Sequence, residues 1–476
     1  MVKMQAKKLK ITITEERAKI SKALIFLLSL ALLCLPAASE RLFAAETGNS
    51  FGFLFDHFQL TLEAGYRTEA VGPLFYSQHE DESGANTIAF PPLFSHYRDP
   101  SVESHEDDFL YPVLTSIHYG REYRWQFFQL ISFSGGQEPD ASTEDRFTLF
   151  PFYFQQRSTG TSQNYTAVFP IYGHLQNRFW RDRIFFVMFP IYSRTQKRDI
   201  VTDNYVFPFV HVRNGIGLHG WQVWPLVGSE HKIVTLQTNG FGDVSTNPGH
   251  DQSFALWPLW LKQDNGIGTT NIEKFRASIP LFVYSRSANL DLTTVVWPFF
   301  SWIDNREKKY YEWQAPWPFL IFARGEGKTT SRVFPLFQSS HNATQESDFY
   351  LWPVYTYRRT HTDPLDYRRT RVLFYLYADI MEKNTKTGVF KRRLDMWPFF
   401  TWHRDFNGNE RLQVFAPIEP AVPNNRGIER NWSPLWSLWR AESNPKSGAA
   451  SHSLFWNLYR DEKAPEHKKV SLLFGL

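Results

Sequence analysis

Ile184-Phe185-Phe186-Val187-Met188-Phe189-Pro190-Ile191-Tyr192-Ser193-Arg194 contains the phrase on which the fold turns. It is an aromatic, a proline, then two bulky apolar residues, entered through a run of aromatic and β-branched side chains. The phrase recurs along nearly the whole 476-residue chain. It appears before this stretch as Phe150-Pro151-Phe152-Tyr153 and Phe169-Pro170-Ile171-Tyr172, and after it as Phe207-Pro208-Phe209-Val210. It continues as Trp224-Pro225, Trp257-Pro258, Trp297-Pro298, Trp317-Pro318, Phe334-Pro335, Trp352-Pro353 and Trp397-Pro398, each followed by two apolar residues. The spacing is about 17 to 20 residues, which marks a repeat architecture of about 20 units.

Degenerate copies extend the array in both directions. Gly72-Pro73-Leu74-Phe75, Pro91-Pro92-Leu93-Phe94 and Tyr111-Pro112-Val113-Leu114 come first, and Phe128-Gln129-Leu130-Ile131 lacks the proline. At the other end Ser437, Asn457 and Gly475 replace it. Ser, Asn and Gly share with Pro a preference for bends.

Polar turn signals such as Asn214-Gly215, Asn265-Gly266, Gly325-Glu326-Gly327 and Asn407-Gly408 fall close to midway between prolines. A proline every ~19 residues excludes long helices, and the β-branched and aromatic flanks read as strand. The fold expected is all-β, an antiparallel meander or β-hairpin repeat array with strands kinked at Pro. In the meander a proline sits mid-strand, where it deletes a ladder hydrogen bond, and the aligned kinks crease the sheet. In the hairpin version each unit is a hairpin and the proline marks the step to the next. The gaps from Glu230 to Gln252 and from Arg358 to Arg371 read as larger loops.

The alternative fold is an outer-membrane β-barrel. Phe58, Leu60, Leu62, Ala64 and Tyr66 alternate against Gln59, Thr61 and Glu63, and Val470, Leu472, Phe474 and Leu476 hold alternate positions in the last stretch. Yet the apolar band around each proline is about 16 Å tall at strand rise. A barrel needs a band of about 25 Å and a polar lumen.

Residues 1–39 read as a secretory signal peptide, and 40–476 as a single β-repeat domain. Lys3, Lys7, Lys8, Lys10, Arg17, Lys19 and Lys22 precede the apolar run from Ala23 to Leu35, and Ala37-Ala38-Ser39 supplies a small-residue cleavage pattern. The sole cysteine, Cys34, lies inside that leader behind Leu33, where a lipidation signal wants a small residue. The mature chain therefore has no disulfide, thiolate ligand or cysteine nucleophile. The leader takes seven basic and two acidic residues from totals of 52 and 48, leaving a near-neutral chain. Nothing in that charge recruits nucleic acid.

No nucleophile elbow, phosphate loop or zinc motif occurs, so no catalytic residue, cofactor or metal is expected. An enzyme would need an acid pair such as Asp304 and Glu312 brought together by folding. The acidic runs Glu80-Asp81-Glu82 and Glu103 to Asp108 lack calcium-loop spacing and read as solvated loop charge. The function expected is a non-enzymatic, exported cell-envelope protein with a structural or adhesive role. Its partner would be a glycan, a lipid headgroup or an envelope protein, with membrane association in view and location in the periplasm, outer membrane or cell surface. The barrel alternative would act as a pore or transporter. The candidate ligand-binding residues are Trp224, Trp257, Trp297, Trp317, Trp352 and Trp397, with Arg194, Arg213, Arg324, Arg358 and Arg404 as a ladder beside the rings. Stacking and cation–π contacts would hold the ligand. The plainer account is that these arginines cap ring faces and discourage strand-edge pairing.

Overall fold

The computed structural model describes residues 50–136, 144–159, 164–238, 240, 242–465 and 468–474. The expected leader lies outside the described residues. A single antiparallel sheet of 40 strands runs in meander order from Phe55–Gln59 to Lys468–Leu472, each strand pairing with its neighbours in sequence. The one interruption is the pairing of Val227–Lys232 with Gly249–Ala255, between which a separate hairpin, Thr235–Thr238 with Val244–Asn247, is inserted. The gap from Arg358 to Arg371 is not a loop. Tyr355–Thr362 and Leu365–Val372 are paired eight-residue strands joined at Asp363-Pro364.

The all-β repeat array is as expected, but the strands are not kinked at proline. Proline is where they reverse. Arg181–Val187 ends before Met188, and Tyr192–Lys197 begins after Ile191. Between them the Ile191 N–H donates to the Met188 carbonyl at 2.8 Å. The Phe189-Pro190 peptide is cis, which makes this a type VI turn. Proline takes the third turn position, where even Gln129 in its place donates no backbone bond among the described residues, so its missing N–H costs nothing there. Each repeat is thus a hairpin, closed at one edge by an apolar proline turn and opened at the other by a turn that is polar in most repeats but carries exposed Trp180 and Ile216 in two of them.

Successive proline turns bond to one another. Phe189 N–H donates to the Pro170 carbonyl, Phe207 to Pro190, and Trp257 to Pro225, each at 2.7 Å. Trp297 donates to Pro280 at 2.8 Å and Trp352 to Pro335 at 2.7 Å. The ladder therefore continues through the turns, and this edge has few unpaired backbone groups. The first turn residue is repeatedly left-handed, with φ of 45° at Met188, 50° at Val206 and 49° at Val296. That conformation is unfavourable for β-branched valine, so the turn geometry rather than residue preference sets it.

Strand alternation gives the sheet two faces. On the inner face, the row second from the proline edge runs Gly173, Phe186, Ser193, Asn204 and His211 through direct cross-strand partners. Its members are buried or half-buried in every strand. Phe154, Tyr165, Ala167, Leu175 and Phe186 form an apolar cluster on this face, flanked by Phe169, Ile184 and Phe189.

The two ends of the sheet meet through the same face. Glu69 accepts two bonds from Arg440, at 2.9 and 3.0 Å, and one from Asn457 at 2.7 Å. The Arg460 guanidinium lies 3.2 Å from the centre of the Phe58 ring and 3.8 Å from Asp56. Two short helices, α1 (Arg426–Asn431) and α2 (Ser433–Trp436), are wedged between the ends. Arg430 bridges Glu106 and Asp108 at 2.8 Å each. The run from Glu103 to Asp108 is therefore not solvated loop charge. It forms the strand Ser104–Phe109, with Asp108 fully buried. Early strands contribute acids to this clasp, and α1 and the late strands contribute arginines.

The clasp overlaps the ends face to face without joining their edges. Among the described residues Phe55–Gln59 pairs only with Gly65–Ala70, and Lys468–Leu472 only with Tyr459–Lys463. The sheet is not a closed barrel. Its strands, four to eight residues long, also fall short of the ~9–11 that cross a bilayer.

Candidate functional site: the proline edge

The residue just before proline turns onto the inner rim, and these rings form a ladder along the edge. Phe169 and Phe189 lie 5.4 Å apart, and Phe189 and Phe207 5.7 Å. Trp224 and Trp257 continue it at 5.7 Å. Further on, Trp352 sits between Phe334 at 5.6 Å and Phe374 at 5.8 Å. Trp397 anchors its indole N–H on the Pro417 carbonyl at 2.9 Å. Trp297 and Trp317 occupy equivalent, exposed turn positions. All six candidate tryptophans thus lie on one edge, as rim rather than as the lining of a mid-strand crease.

The candidate arginines do not form one ladder, because strand alternation sorts them by parity. Arg213 and Arg358 fall five residues after their prolines and point inward. Arg194, four residues after, and Arg324 and Arg404, six after, point outward. Arg213 is paired with Glu230, and Arg194 lies 3.4 Å from Asp203. Arg324 bonds the Ala323 and Thr330 carbonyls and the Ser331 hydroxyl. Arg404 lies 3.4 Å from Glu410 and over the Phe390 ring at 4.6 Å. Four of the five are thus held by their own sheet; Arg358 alone among them has no carboxylate or hydrogen-bond partner among the described residues. Asp304 and Glu312 face opposite sides of the sheet, being offset by one in register from Tyr311 and Ile303.

The feature missed in the sequence is on the outer face. The row adjoining the proline turns includes Val168, Tyr172, Val187, Tyr192, Tyr205 and Val210. It is apolar in every strand except at Ser278, and its members are exposed or half-buried, none of them fully buried. Beside it stand the turn tips Ile171, Ile191, Leu226 and Leu259, all exposed. The next outer row mixes polar groups with exposed Phe133, Trp221, Trp302 and Trp313. There the Tyr192 hydroxyl donates to Asp203 at 2.7 Å, and burial together with that carboxylate pushes it up to about 12. The opposite edge carries exposed charge, as in Arg198-Asp199 and Glu307-Lys308-Lys309. The sheet is amphipathic along its strands as well as across its faces.

The chain matches no protein-family model and no curated protein.

Proposed function

We propose that the protein is a non-enzymatic envelope scaffold that seats its proline edge in one leaflet of a lipid membrane. The observation that carries this reading is the apolar row, exposed or half-buried and interrupted only at Ser278, with its exposed apolar turn tips. Soluble monomers rarely expose contiguous apolar patches beyond a few hundred Å². The turn tip plus two outer rows spans about 10–14 Å at strand rise, close to half of a ~30 Å hydrocarbon core. Aromatic residues of the second row then fall at headgroup height, where Trp and Tyr favour the interface. The charged opposite edge stays in water. Backbone polarity fits as well, since the turn-to-turn hydrogen bonds leave little unsatisfied amide to bring into lipid.

Flotation with zwitterionic phosphatidylcholine vesicles, whose surface does not attract added lysines, tests the proposal. The protein is expected to rise with the vesicles. Changing Ile171, Ile191, Leu226 and Leu259 together to Lys is expected to cut the bound fraction about tenfold or more, because each lysine opposes burial of the turn in lipid. These side chains are exposed, so the β circular-dichroism spectrum should not change. Native protein staying at the bottom of the gradient, or a variant floating equally well, would refute the reading.

A further inference from the structure

Four arginines on the inner face stand together without carboxylate partners. They are Arg332 on Lys328–Val333, Arg358 on Tyr355–Thr362, and Arg369 and Arg371 on Leu365–Val372. Arg358 and Arg369 are direct cross-strand partners, and Arg371 lies opposite Thr356 on the same face. All four line one cavity of about 400 Å³ that also reaches the ring of Trp352.

The same hairpin treats its outer arginines differently. Arg359 pairs with Asp366 at 2.8 Å and with Glu346 at 3.5 Å, and Arg368 pairs with Asp366 at 2.8 Å. On the inner side, Arg332 donates only to the Gln338 amide oxygen. Arg358 and Arg369 have no hydrogen-bond or ion-pair partner among the described residues, and the buried Nε of Arg371 has none either. Asp348 also lines the cavity, but its position opposite Ser339 and Tyr357 places it on the outer face. Like charges directly opposite one another destabilise a sheet. Burial, with Arg369 and Arg358 nearby, lowers the basicity of Arg371. An arrangement that is unfavourable when empty is what an anion would relieve.

We infer that this cluster is a binding site for a phosphoryl group, gripped by the inward guanidiniums of Arg358, Arg369 and Arg371 with Arg332 at its margin. Guanidinium forks match phosphate oxygens bidentately and remain charged at any working pH. The Trp352 ring, 5.6 Å from Phe334 and 5.8 Å from Phe374, offers an apolar wall for whatever carries the phosphate. The site lies on the face opposite the exposed apolar row, so it stands whether or not the proline edge enters lipid.

The test is calorimetric titration of the full exported chain with inorganic phosphate, pyrophosphate and glycerophosphoglycerol, and with phosphatidylglycerol in neutral detergent micelles. Heat and a raised melting temperature with the soluble phosphates would support a free phosphorylated ligand. A response to the micellar lipid alone would support a lipid phosphate. In either case the combined change Arg358→Gln and Arg371→Gln is expected to weaken binding about tenfold or more, and binding should weaken with added salt. Without ligand that variant should melt no lower than the native chain, because it relieves repulsion; a purely structural cluster would melt lower. Arg324→Gln, on the outer face, should bind normally. No response to any of these phosphates, or undiminished binding by the double variant, would overturn the inference.

Discussion

Glu69→Gln is expected to destabilise the protein by about 3–5 kcal/mol, the cost of breaking a buried ion pair from one side. Glu69 is 5 % exposed, accepts hydrogen bonds from Arg440 and Asn457, and forms an ion pair with Arg67, whose Nε lies 2.7 Å away. The amide keeps the shape and loses the charge, so Arg67 and Arg440 stay buried facing a poorer acceptor. The loss should appear as a lower urea midpoint. Because Glu69 belongs to an early strand and Arg440 to a late one, the ends should part, giving a larger radius of gyration in solution scattering. An unchanged midpoint and radius would show that the clasp contributes nothing.

The same groups set a pH dependence. Burial opposes the charge on Glu69, but Arg440 and Arg67 outweigh it and hold its carboxyl at about 2, against an ordinary 4.5. A depressed carboxylate stabilises above its unfolded value and loses that contribution as pH falls towards its folded one. About 3 kcal/mol is therefore withdrawn between pH 4.5 and 2. His403 is pushed down to about 3 by burial and by Arg393 and Arg411. Its unfolded form takes up a proton near pH 6.5 while its folded form does not, so it favours unfolding over the window from pH 6.5 to 3. Asp56, raised by burial despite Arg460, acts in the opposite sense and softens the trend. Melting temperature should fall steadily below pH 6.5, and more shallowly in Glu69→Gln below pH 4.5. Flat melting temperatures from pH 7 to 3 would contradict this account.

The period, the strand class and the polar connection at Asn407-Gly408 could be read from the residues because each is a local preference. Asn214-Gly215, by contrast, ends a strand, and the chain reverses one step later, at Ile216-Gly217. The place of the proline could not be read. Val187 pairs with Tyr192, Phe186 with Ser193 and Phe185 with Arg194, so the side-chain pattern is a mirror about the turn. A mid-strand bend and a reversal present the same mirror, and only the pairing tells them apart. The clasp left no local trace either, since Glu69 and Arg440 are 371 residues apart. For the arginines, the lesson lies in parity. A spacing of five after proline or of four or six looks alike in a list, yet it decides the face.

Phe186→Ala should cost about 3–5 kcal/mol where it is felt, but it should be felt locally. Phe186 is 3 % exposed and meets Phe169 edge-on at 5.7 Å. It covers Gly173, where an added Cβ would come within 2.6 Å of the ring; the glycine exists to seat the ring, and alanine would leave a void. A chain in which each strand touches chiefly its neighbours has stability that sums over adjacent pairs. Such a defect cannot spread as it would through one globular core. Hydrogen exchange should show lost protection in the strands from Tyr165–Val168 to Ile200–Tyr205, while Tyr355–Thr362 and Leu365–Val372 keep theirs. Phe186→Leu should recover part of the loss by refilling the space. Uniform loss of protection across all strands would mean that the sheet unfolds as one cooperative unit, and the nearest-neighbour picture of this array would have to be abandoned.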